Sequence, residues 1–221
     1  MASLTIENYV KAIYKLTRGD SRTAPTGRLA EELQVSPGTV TTMLKALQDS
    51  GFAHYTPYEG VQLTEAGQSL ALRVLRRHRL IELFLVHTLD LSWDEVHEEA
   101  ENMEHAVSDL LIDKIDEYLS FPDVDPHGDP IPRSDGTMST PKSVSLTSLD
   151  IGNSFRIVRV MEQSTHFLRF LTDHGIGIDS VGHIQQKSTS AGVMQVVWSE
   201  GETVLSLEVA EKIRVVSEVS P

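Results

Sequence analysis

Cysteine is absent from all 221 residues of the sequence. Its absence excludes disulfide bonds, thiolate metal sites and a cysteine nucleophile. The sequence also lacks any run of eighteen apolar residues, so no transmembrane helix is expected. Residues 1–7 have neither the basic nor the apolar region of a secretory signal. We therefore expect a cytoplasmic protein that makes no membrane contact.

Basic residues are scarce: 19 Lys and Arg stand against 32 Asp and Glu, a net charge of −13. The excess is concentrated in residues 76–140, which carry five basic and sixteen acidic side chains, whereas residues 1–75 carry seven of each. A protein with a large negative charge is repelled by the phosphates of nucleic acid, but a small local surface patch can still bind DNA or RNA. Divalent cations bound in the central region would offset part of its charge.

The central acidic region contains the stretch His97-Glu98-Glu99-Ala100-Glu101-Asn102-Met103-Glu104-His105. On a helix, at about 100° per residue, His97, Glu101, Glu104 and His105 share one face. Imidazole nitrogens and carboxylate oxygens on one face suit a divalent metal. A solvated acidic helix has the same appearance, so both interpretations stand at this point.

A second pair of candidate ligands, His78 and Glu82, is spaced i, i+4 on another predicted helix. Two such helices about twenty residues apart would form a hairpin with facing ligand sets. The alternative is an exposed helix with an incidental contact between His78 and Glu82. The segment 121–142, rich in Pro, Asp and Gly, is typical of a linker. It includes His127 and Asp129, which we do not expect to bind metal because a loop does not preorganise them.

Residues 4–63 have the pattern of a winged helix-turn-helix. Apolar spacing predicts helices at 4–18 and 27–33, the latter capped by Thr26, and a third that begins at Pro37 after the cap Ser36. A β-hairpin follows over 52–63. The outward face of the third helix carries side chains able to contact phosphates and bases: Thr39, Thr41, Thr42, Lys45 and Gln48. The alternative is a helical subdomain with a polar face.

In the remaining chain, the sequence pattern is helical at first and strand-like from residue 144 onward. A capped helix is predicted over 65–89, another that starts at Ser92 with Glu95 in a capping box, and a third over 109–118. Their apolar faces exceed what one small core needs, which indicates a dimer interface. From residue 144 onward, strand-like runs at 157–160, 193–198 and 204–207, with a possible helix at 163–172, predict a small, partly open β-barrel.

Taken together, these motifs resemble the diphtheria toxin repressor family of iron- and manganese-dependent regulators. The resemblance rests on pieces spread over nearly the whole chain: Glu7-Asn8-Tyr9, Ile13-Tyr14-Lys15-Leu16, Val35-Ser36-Pro37-Gly38-Thr39-Val40, Arg77-His78-Arg79-Leu80 with Glu82, His97-Glu98-Glu99-Ala100, Glu104-His105, Ser108-Asp109 and Gly128-Asp129-Pro130-Ile131-Pro132. It implies an α+β protein with three parts: a winged helix-turn-helix over 1–73, a helical metal-binding and dimerisation domain with its linker over 74–140, and an SH3-like small β-barrel over 141–221.

The resemblance also implies two adjacent metal sites. The primary site would use Asn8, Glu101, Glu104 and His105. The ancillary site would use His78, Glu82 and His97, with Gln163 and His166 where the SH3-like domain adds ligands. The DNA contacts implied or derived above are Ser36, Pro37, Thr39, Thr41, Thr42 and Lys45.

Two positions bear on the choice of metal. Iron-responsive members of the family place cysteine where this chain has Glu101 and methionine where it has Asn8; hard oxygen donors favour Mn(II), although Fe(II) stays possible. Asn8 departs from the Asp of manganese-responsive members and offers only a neutral carbonyl oxygen. Lys11 departs from the acidic residue of two-domain manganese members, which favours the three-domain form.

The expected function is therefore a Mn(II)-activated transcriptional repressor of metal uptake genes that binds an operator in double-stranded DNA as a homodimer. Three alternatives are an iron(II)-responsive repressor, a winged-helix regulator that ignores metals, and a metal-dependent hydrolase. We do not expect an enzyme, because the sequence has no His-Glu-x-x-His motif, nucleophile elbow or phosphate-binding glycine loop.

Overall fold

The structure, a computed structural model, describes residues 4–17, 23–139, 142–199 and 201–218. The predicted end of the first helix at residue 18, the residues 19–22 that follow it, and the predicted domain boundary at 140–141 lie outside these ranges. The chain forms two compact units. The first comprises Met1–His78, Glu101–Ile112 and Pro132–Met138; the second comprises Arg79–Ala100, Asp113–Ile131 and Ser139–Pro221.

The first unit begins with the predicted winged helix-turn-helix. Its elements are α1 (Leu4–Thr17), α2 (Thr26–Glu32), α3 (Pro37–Asp49), β1 (Ala53–Thr56) and β2 (Gly60–Leu63). The strands pair antiparallel, with Ala53 opposite Leu63 and Thr56 opposite Gly60. The core forms because one apolar stripe of each helix turns inward, including Ile13, Leu29, Val40, Leu44 and Leu47.

Local chemistry sets the turn and the start of α3. Gln34 takes a positive φ of 53°, which reverses the chain after α2. The Ser36 hydroxyl accepts a hydrogen bond from the Thr39 amide, so the predicted N-cap is confirmed. The predicted cap at Thr26 is wrong: α2 includes Thr26, and its N-cap is Pro25, which has no side-chain hydrogen bond to offer.

Three helices follow the wing: α4 (Glu65–Leu89), α5 (Val96–Met103) and α6 (Asp109–Tyr118). The Thr64 hydroxyl accepts a hydrogen bond from the Gly67 amide and so caps α4. The Glu95 carboxylate accepts a hydrogen bond from the Ser92 amide, as the predicted capping box requires, but α5 begins at Val96 and not at Ser92. However, α5 ends at Met103, so Glu104 and His105 lie in the turn after it and not on the single helical face we predicted. No helix in the described part of the chain is long and apolar enough to cross a membrane.

The second unit contains a six-stranded antiparallel sheet. Its elements are β3 (Val144–Ser145), β4 (Ser154–Val160), α7 (Thr165–Asp173), β5 (Val181–Ser188), β6 (Val193–Trp198), β7 (Gly201–Ser206), α8 (Leu207–Glu211) and β8 (Ile213–Glu218), with a 3₁₀ turn at Leu146–Ser148. The strands lie in the order β3-β8-β4-β5-β6-β7. Leu207 begins a helix and does not belong to the strand we predicted over 204–207. The sequence patterns did not predict β3, β5 or β8.

The segment predicted as a linker, residues 121–142, has no helix or strand in its described part, 121–139 and 142, but it is not an exposed tether. Asp125, His127 and Asp129 are buried. The His127 carbonyl accepts a hydrogen bond of 2.9 Å from the Val160 amide at the end of β4. Gly128 packs so closely that a Cβ there would lie 2.0 Å from the Val158 carbonyl oxygen. The turn is therefore fixed on β4.

We expect Gly128→Ala to destabilise the protein more than Gly152→Ala. Both glycines have a positive φ, 82° and 85°, so the backbone strain of an added Cβ is matched. Only Gly128 also meets neighbouring backbone, whereas a Cβ at Gly152 has open space. The clash should add about 1–3 kcal/mol to the loss of stability. Chemical denaturation of both variants measures the difference, and equal losses would contradict it.

Candidate metal centre and DNA-binding helix

A buried lysine stands between two of the predicted primary-site ligands. Lys11, on α1, is 5% exposed, and its Nζ lies 2.5 Å from Glu101 Oε1 and 2.7 Å from Glu104 Oε1. Glu104 is fully buried, so the two carboxylates need a nearby positive charge. In this arrangement the ammonium group supplies the charge that a bound cation would supply.

The electrostatics of Glu101 show the effect of that lysine. Burial alone would raise the pKa of the Glu101 carboxyl, but the charge and hydrogen bond of Lys11 outweigh it, and the pKa lies below its ordinary value. Glu101 is therefore ionised at neutral pH. A deprotonated carboxylate is the form that binds metal.

His105 is oriented as a metal ligand commonly is. Its Nδ1 lies 2.6 Å from Glu7 Oε2, and such a carboxylate partner fixes the ring and leaves the other nitrogen for a ligand. The Nε2 atom is buried, lies 3.2 Å from Glu104 Oε1, and makes no hydrogen bond within the described part of the chain. Glu7, which sequence reasoning did not single out as a candidate, is thus a supporting residue.

Asn8, the fourth predicted primary-site ligand, is on α1. Its side-chain oxygen Oδ1 is buried and, among the residues described, has no hydrogen-bond partner. A buried acceptor without a partner is costly. Asn8 and Lys11 share a face of α1 because they are three positions apart. The potential ligand atoms of Glu101, Glu104 and His105 lie within 4.8 Å of one another, a set able to hold a divalent cation, and the Asn8 oxygen on α1 is an additional candidate donor.

The residues predicted from the family resemblance as ancillary ligands differ in their hydrogen-bond partners and in their burial. His78 Nδ1 lies 2.6 Å from Glu104 Oε2, within the first unit. In the second unit, His97 Nδ1 lies 3.1 Å from the buried Glu82. Gln163 donates its side-chain amide to Asp129 Oδ2 at 2.9 Å, and His166 is exposed on α7. His97 and Gln163 both line a cleft of about 740 Å³.

The fold brings two further residues to Glu82: His127, which sequence reasoning set aside as a loop residue, and Asp125, which it did not name. Asp125 and His127 are buried, and with Glu82 they form a group whose potential ligand atoms lie within 4.8 Å of one another. Burial, and then the charges of Asp129 and Glu82, raise the pKa of Asp125 well above its ordinary value. In the sequence, the alternating pattern Asp125-x-His127-x-Asp129 could have indicated this group.

The predicted DNA-contacting residues lie on or just before α3. Ser36, Pro37, Thr39, Thr42 and Lys45 are exposed, and Thr41 is half-buried. The hydroxyls of Thr41 and Thr42 donate to the carbonyls of Pro37 and Gly38 along the helix. The Ser36 hydroxyl is engaged in the cap. The exposed face therefore presents methyl groups, hydroxyls and one ammonium, a mixture suited to phosphates and base edges.

Comparison with known proteins agrees with this combination of a winged helix and a metal-type ligand cluster. Residues 1–61 match the iron dependent repressor N-terminal DNA binding domain, residues 64–133 its metal binding and dimerisation domain, and residues 144–217 the FeoA domain. The iron-dependent repressor IdeR of Mycobacterium leprae is 32% identical over 77% of this chain and 73% of its own. This chain belongs to the diphtheria toxin repressor family. It is accordingly a metal-dependent transcriptional repressor with a FeoA domain, and not an enzyme.

Further relatives of this repressor include both iron and manganese regulators. The diphtheria toxin repressor of Corynebacterium glutamicum is 30% identical over 79% of this chain and 80% of its own. A solved manganese-dependent transcriptional repressor in complex with manganese is 37% identical, covers 96% of this chain and all of its own, and has a TM-score of 0.88. The manganese regulator SloR is 30% identical over 96% and 98% of the two chains, with a TM-score of 0.77. These likenesses confirm the α+β fold with its SH3-like sheet.

We expect Lys11→Met to tighten Mn(II) binding. The variant keeps the aliphatic stem but removes the ammonium group that an incoming cation must displace from Glu101 and Glu104. A competition of about 1.4 kcal/mol corresponds to a tenfold lower Kd. The metal-free variant should also unfold at a lower temperature, because its buried carboxylates lose their counter-charge. Calorimetric titration and thermal unfolding measure the two effects.

Lys15→Met is the matched control, since Lys15 is exposed one turn further along α1. It removes the same charge from the same helix without emptying the position between the carboxylates. Unchanged Mn(II) affinity in Lys11→Met, or equal gains in both variants, would show that Lys11 does not compete for the site.

Proposed function

We propose that this repressor is activated by Mn(II). The observation that carries the proposal is the hard donor set at the primary site: carboxylates from Glu101 and Glu104, an imidazole from His105 and the unpaired Asn8 carbonyl oxygen. Oxygen-rich sites suit manganese, whereas thiolate or thioether ligands favour softer metals. The named manganese-dependent structures support this choice, and the iron-dependent relatives make Fe(II) the alternative.

The chain's own residues suggest how occupancy reaches the DNA-binding domain. Glu7, Asn8 and Lys11 are on α1, while Glu101, Glu104 and His105 come from the end of α5 and its following turn. These two sets are already in contact, because Lys11 donates a hydrogen bond to Glu101 and Glu7 is hydrogen-bonded to His105. A bound divalent cation would supply two positive charges between the same groups. We infer that α1, and with it the winged helix, is then held more firmly.

A firmer winged helix matters because the operator is read by two copies. We propose a homodimer that places two α3 helices in half-sites about one helical turn apart. Freedom of the winged helix in the metal-free dimer weakens binding, so metal and operator strengthen each other reciprocally. Ser36, Pro37, Thr39, Thr41, Thr42 and Lys45 are the proposed DNA contacts, and metal uptake genes are the proposed targets by family resemblance.

The three-part division predicted from the sequence, 1–73, 74–140 and 141–221, remains part of this proposal. In that scheme the central part provides the dimer contact. α6 supports this assignment, because Leu110 is 73% exposed and Leu111 is 48% exposed on a helix whose Ile112 and Ile115 are buried. Exposed neighbouring leucines are typical of a surface that another protein covers.

We expect Mn(II) to tighten operator binding by about 10- to 100-fold, the range of a coupling energy of a few kcal/mol. The DNA is first enriched from a random-sequence pool, once with Mn(II) and once with chelator, and binding is then followed by fluorescence anisotropy. The full chain is titrated with Mn(II) and, without oxygen, with Fe(II). Glu101→Ala should abolish the metal effect, because it removes a primary ligand.

Glu99→Ala is the control, since Glu99 is exposed on the same helix and is not a proposed ligand. Equal DNA binding with and without metal would contradict the switch. A stronger response to Fe(II) would keep the switch but overturn the choice of manganese.

We further expect Leu110→Glu to shift the protein towards monomers. A carboxylate in the proposed interface must lose its hydration when the subunits associate, which is unfavourable. Val204→Glu is the control, because Val204 is also an exposed apolar residue, at 60%, but belongs to β7 and not to α6. Sedimentation velocity over a concentration series measures the equilibrium. A dimer that persists in Leu110→Glu would place the interface elsewhere.

A further inference from the structure

The helix α5 carries two expected metal ligands but has little packing of its own to hold it. His97 and Glu101 are both on this helix, which has eight residues. Its buried residues are Val96 and Ala100, and neither is large. Isolated helices shorter than about 12–15 residues are marginal in water, so α5 depends on contacts outside itself for its stability and its direction.

The indole of Trp93, three positions before the start of α5, packs into the core of the FeoA domain. Among the described residues of that apolar cluster, Trp93 alone comes from before residue 146. Its Nε1 donates a hydrogen bond of 2.8 Å to the Thr172 hydroxyl on α7. The compact unit that contains the FeoA sheet also contains Arg79–Ala100, in agreement with this contact.

The residue after Trp93 makes a second contact with α7. The Asp94 carboxylate accepts a hydrogen bond of 2.7 Å from Arg169 Nε, and the Asp94 side chain is only 7% exposed. Arg169 and Thr172 are three positions apart, so they share one face of α7. The Trp93 backbone is fixed as well, because its carbonyl accepts a hydrogen bond of 2.8 Å from His127 Nε2.

The turn between these contacts and α5 is closed by its own hydrogen bonds. The Ser92 hydroxyl donates to the Glu95 carboxylate at 2.7 Å, and the Val96 amide donates to the Ser92 carbonyl at 3.3 Å. Trp93 and Asp94 lie inside this turn, and Val96 is the first residue of α5. The direction of α5 is therefore tied to α7, and metal ligands bind well only where the surrounding residues hold them in place.

We propose that Trp93 is a positioning residue through which the FeoA domain holds α5, and with it His97 and Glu101, in the direction that metal binding requires. The inference rests on the proposed function for the identity of these ligands. It deepens that function, because it gives the FeoA domain a part in metal binding that requires no ligand from α7.

The test removes the hydrogen bond between Trp93 and α7 from either side in the full-length chain. Trp93→Phe keeps an aromatic ring without the indole N–H, and Thr172→Val removes the accepting hydroxyl with little change of shape. The double variant is made as well. Thr203→Val is the matched control, because Thr203 is in the same domain but belongs to β7 and not to α7. Circular dichroism checks folding, hydrogen–deuterium exchange with chelator follows the α5 amides, and calorimetric titration measures Mn(II) affinity.

We expect the α5 amides to exchange faster in both single variants, and Mn(II) binding to weaken about three- to tenfold, the range produced by the loss of one hydrogen bond. The double variant should bind Mn(II) no more weakly than either single variant, because both remove the same hydrogen bond. Unchanged Mn(II) affinity in the folded single variants, an equal loss in Thr203→Val, or additive losses in the double variant would overturn the proposal.

The exchange and affinity measurements do not involve DNA. If Mn(II) did not strengthen operator binding by the unsubstituted chain, the proposed function would fail, whereas slower exchange and tighter Mn(II) binding in that chain than in Trp93→Phe would still support the role of Trp93.

Discussion

The first unit depends on one electrostatic constraint: the fully buried Glu104 and the half-buried Glu101 both place a carboxylate beside Lys11, and such a pair needs a cation. In the structure Lys11 meets that need from α1. The same contact joins a helix of the winged domain to the segment after α5. One interaction therefore both balances the carboxylate charge and connects the two segments, and the proposed exchange of Lys11 for a metal ion would act on both.

Much of the fold follows from local sequence. The cap at Ser36, the positive φ at Gln34 and the two short strands of the wing are decided by residues a few positions apart, so pattern analysis finds them. The strand β5 was missed because its exposed face is polar and its pairing with β6, which gives it a place in the sheet, is non-local. Leu207 was misplaced because Ser206 caps a helix there, which overrides an apolar strand-like run.

The candidate site was predictable in residue type but not in arrangement. The spacing of Glu101, Glu104 and His105 indicated a metal, yet the end of α5 at Met103 moved two of them into a turn. Neither the bridging position of Lys11 nor the support that Glu7 gives His105 could be derived from spacing, because each contact joins residues at least ninety positions apart. His127 was undervalued for the same reason: only the packed structure shows that its loop is fixed.

The position of Lys11 has a consequence for when the repressor responds. A free cation that occupied the carboxylates would be diluted or exchanged with the surrounding medium, whereas the lysine is covalently attached to α1 and acts at a constant effective concentration. In the proposed exchange, the amount of metal required to displace Lys11 is therefore set by the chain itself. A conservative change at this one residue offers evolution a way to adjust the set point of the regulator without altering a metal ligand.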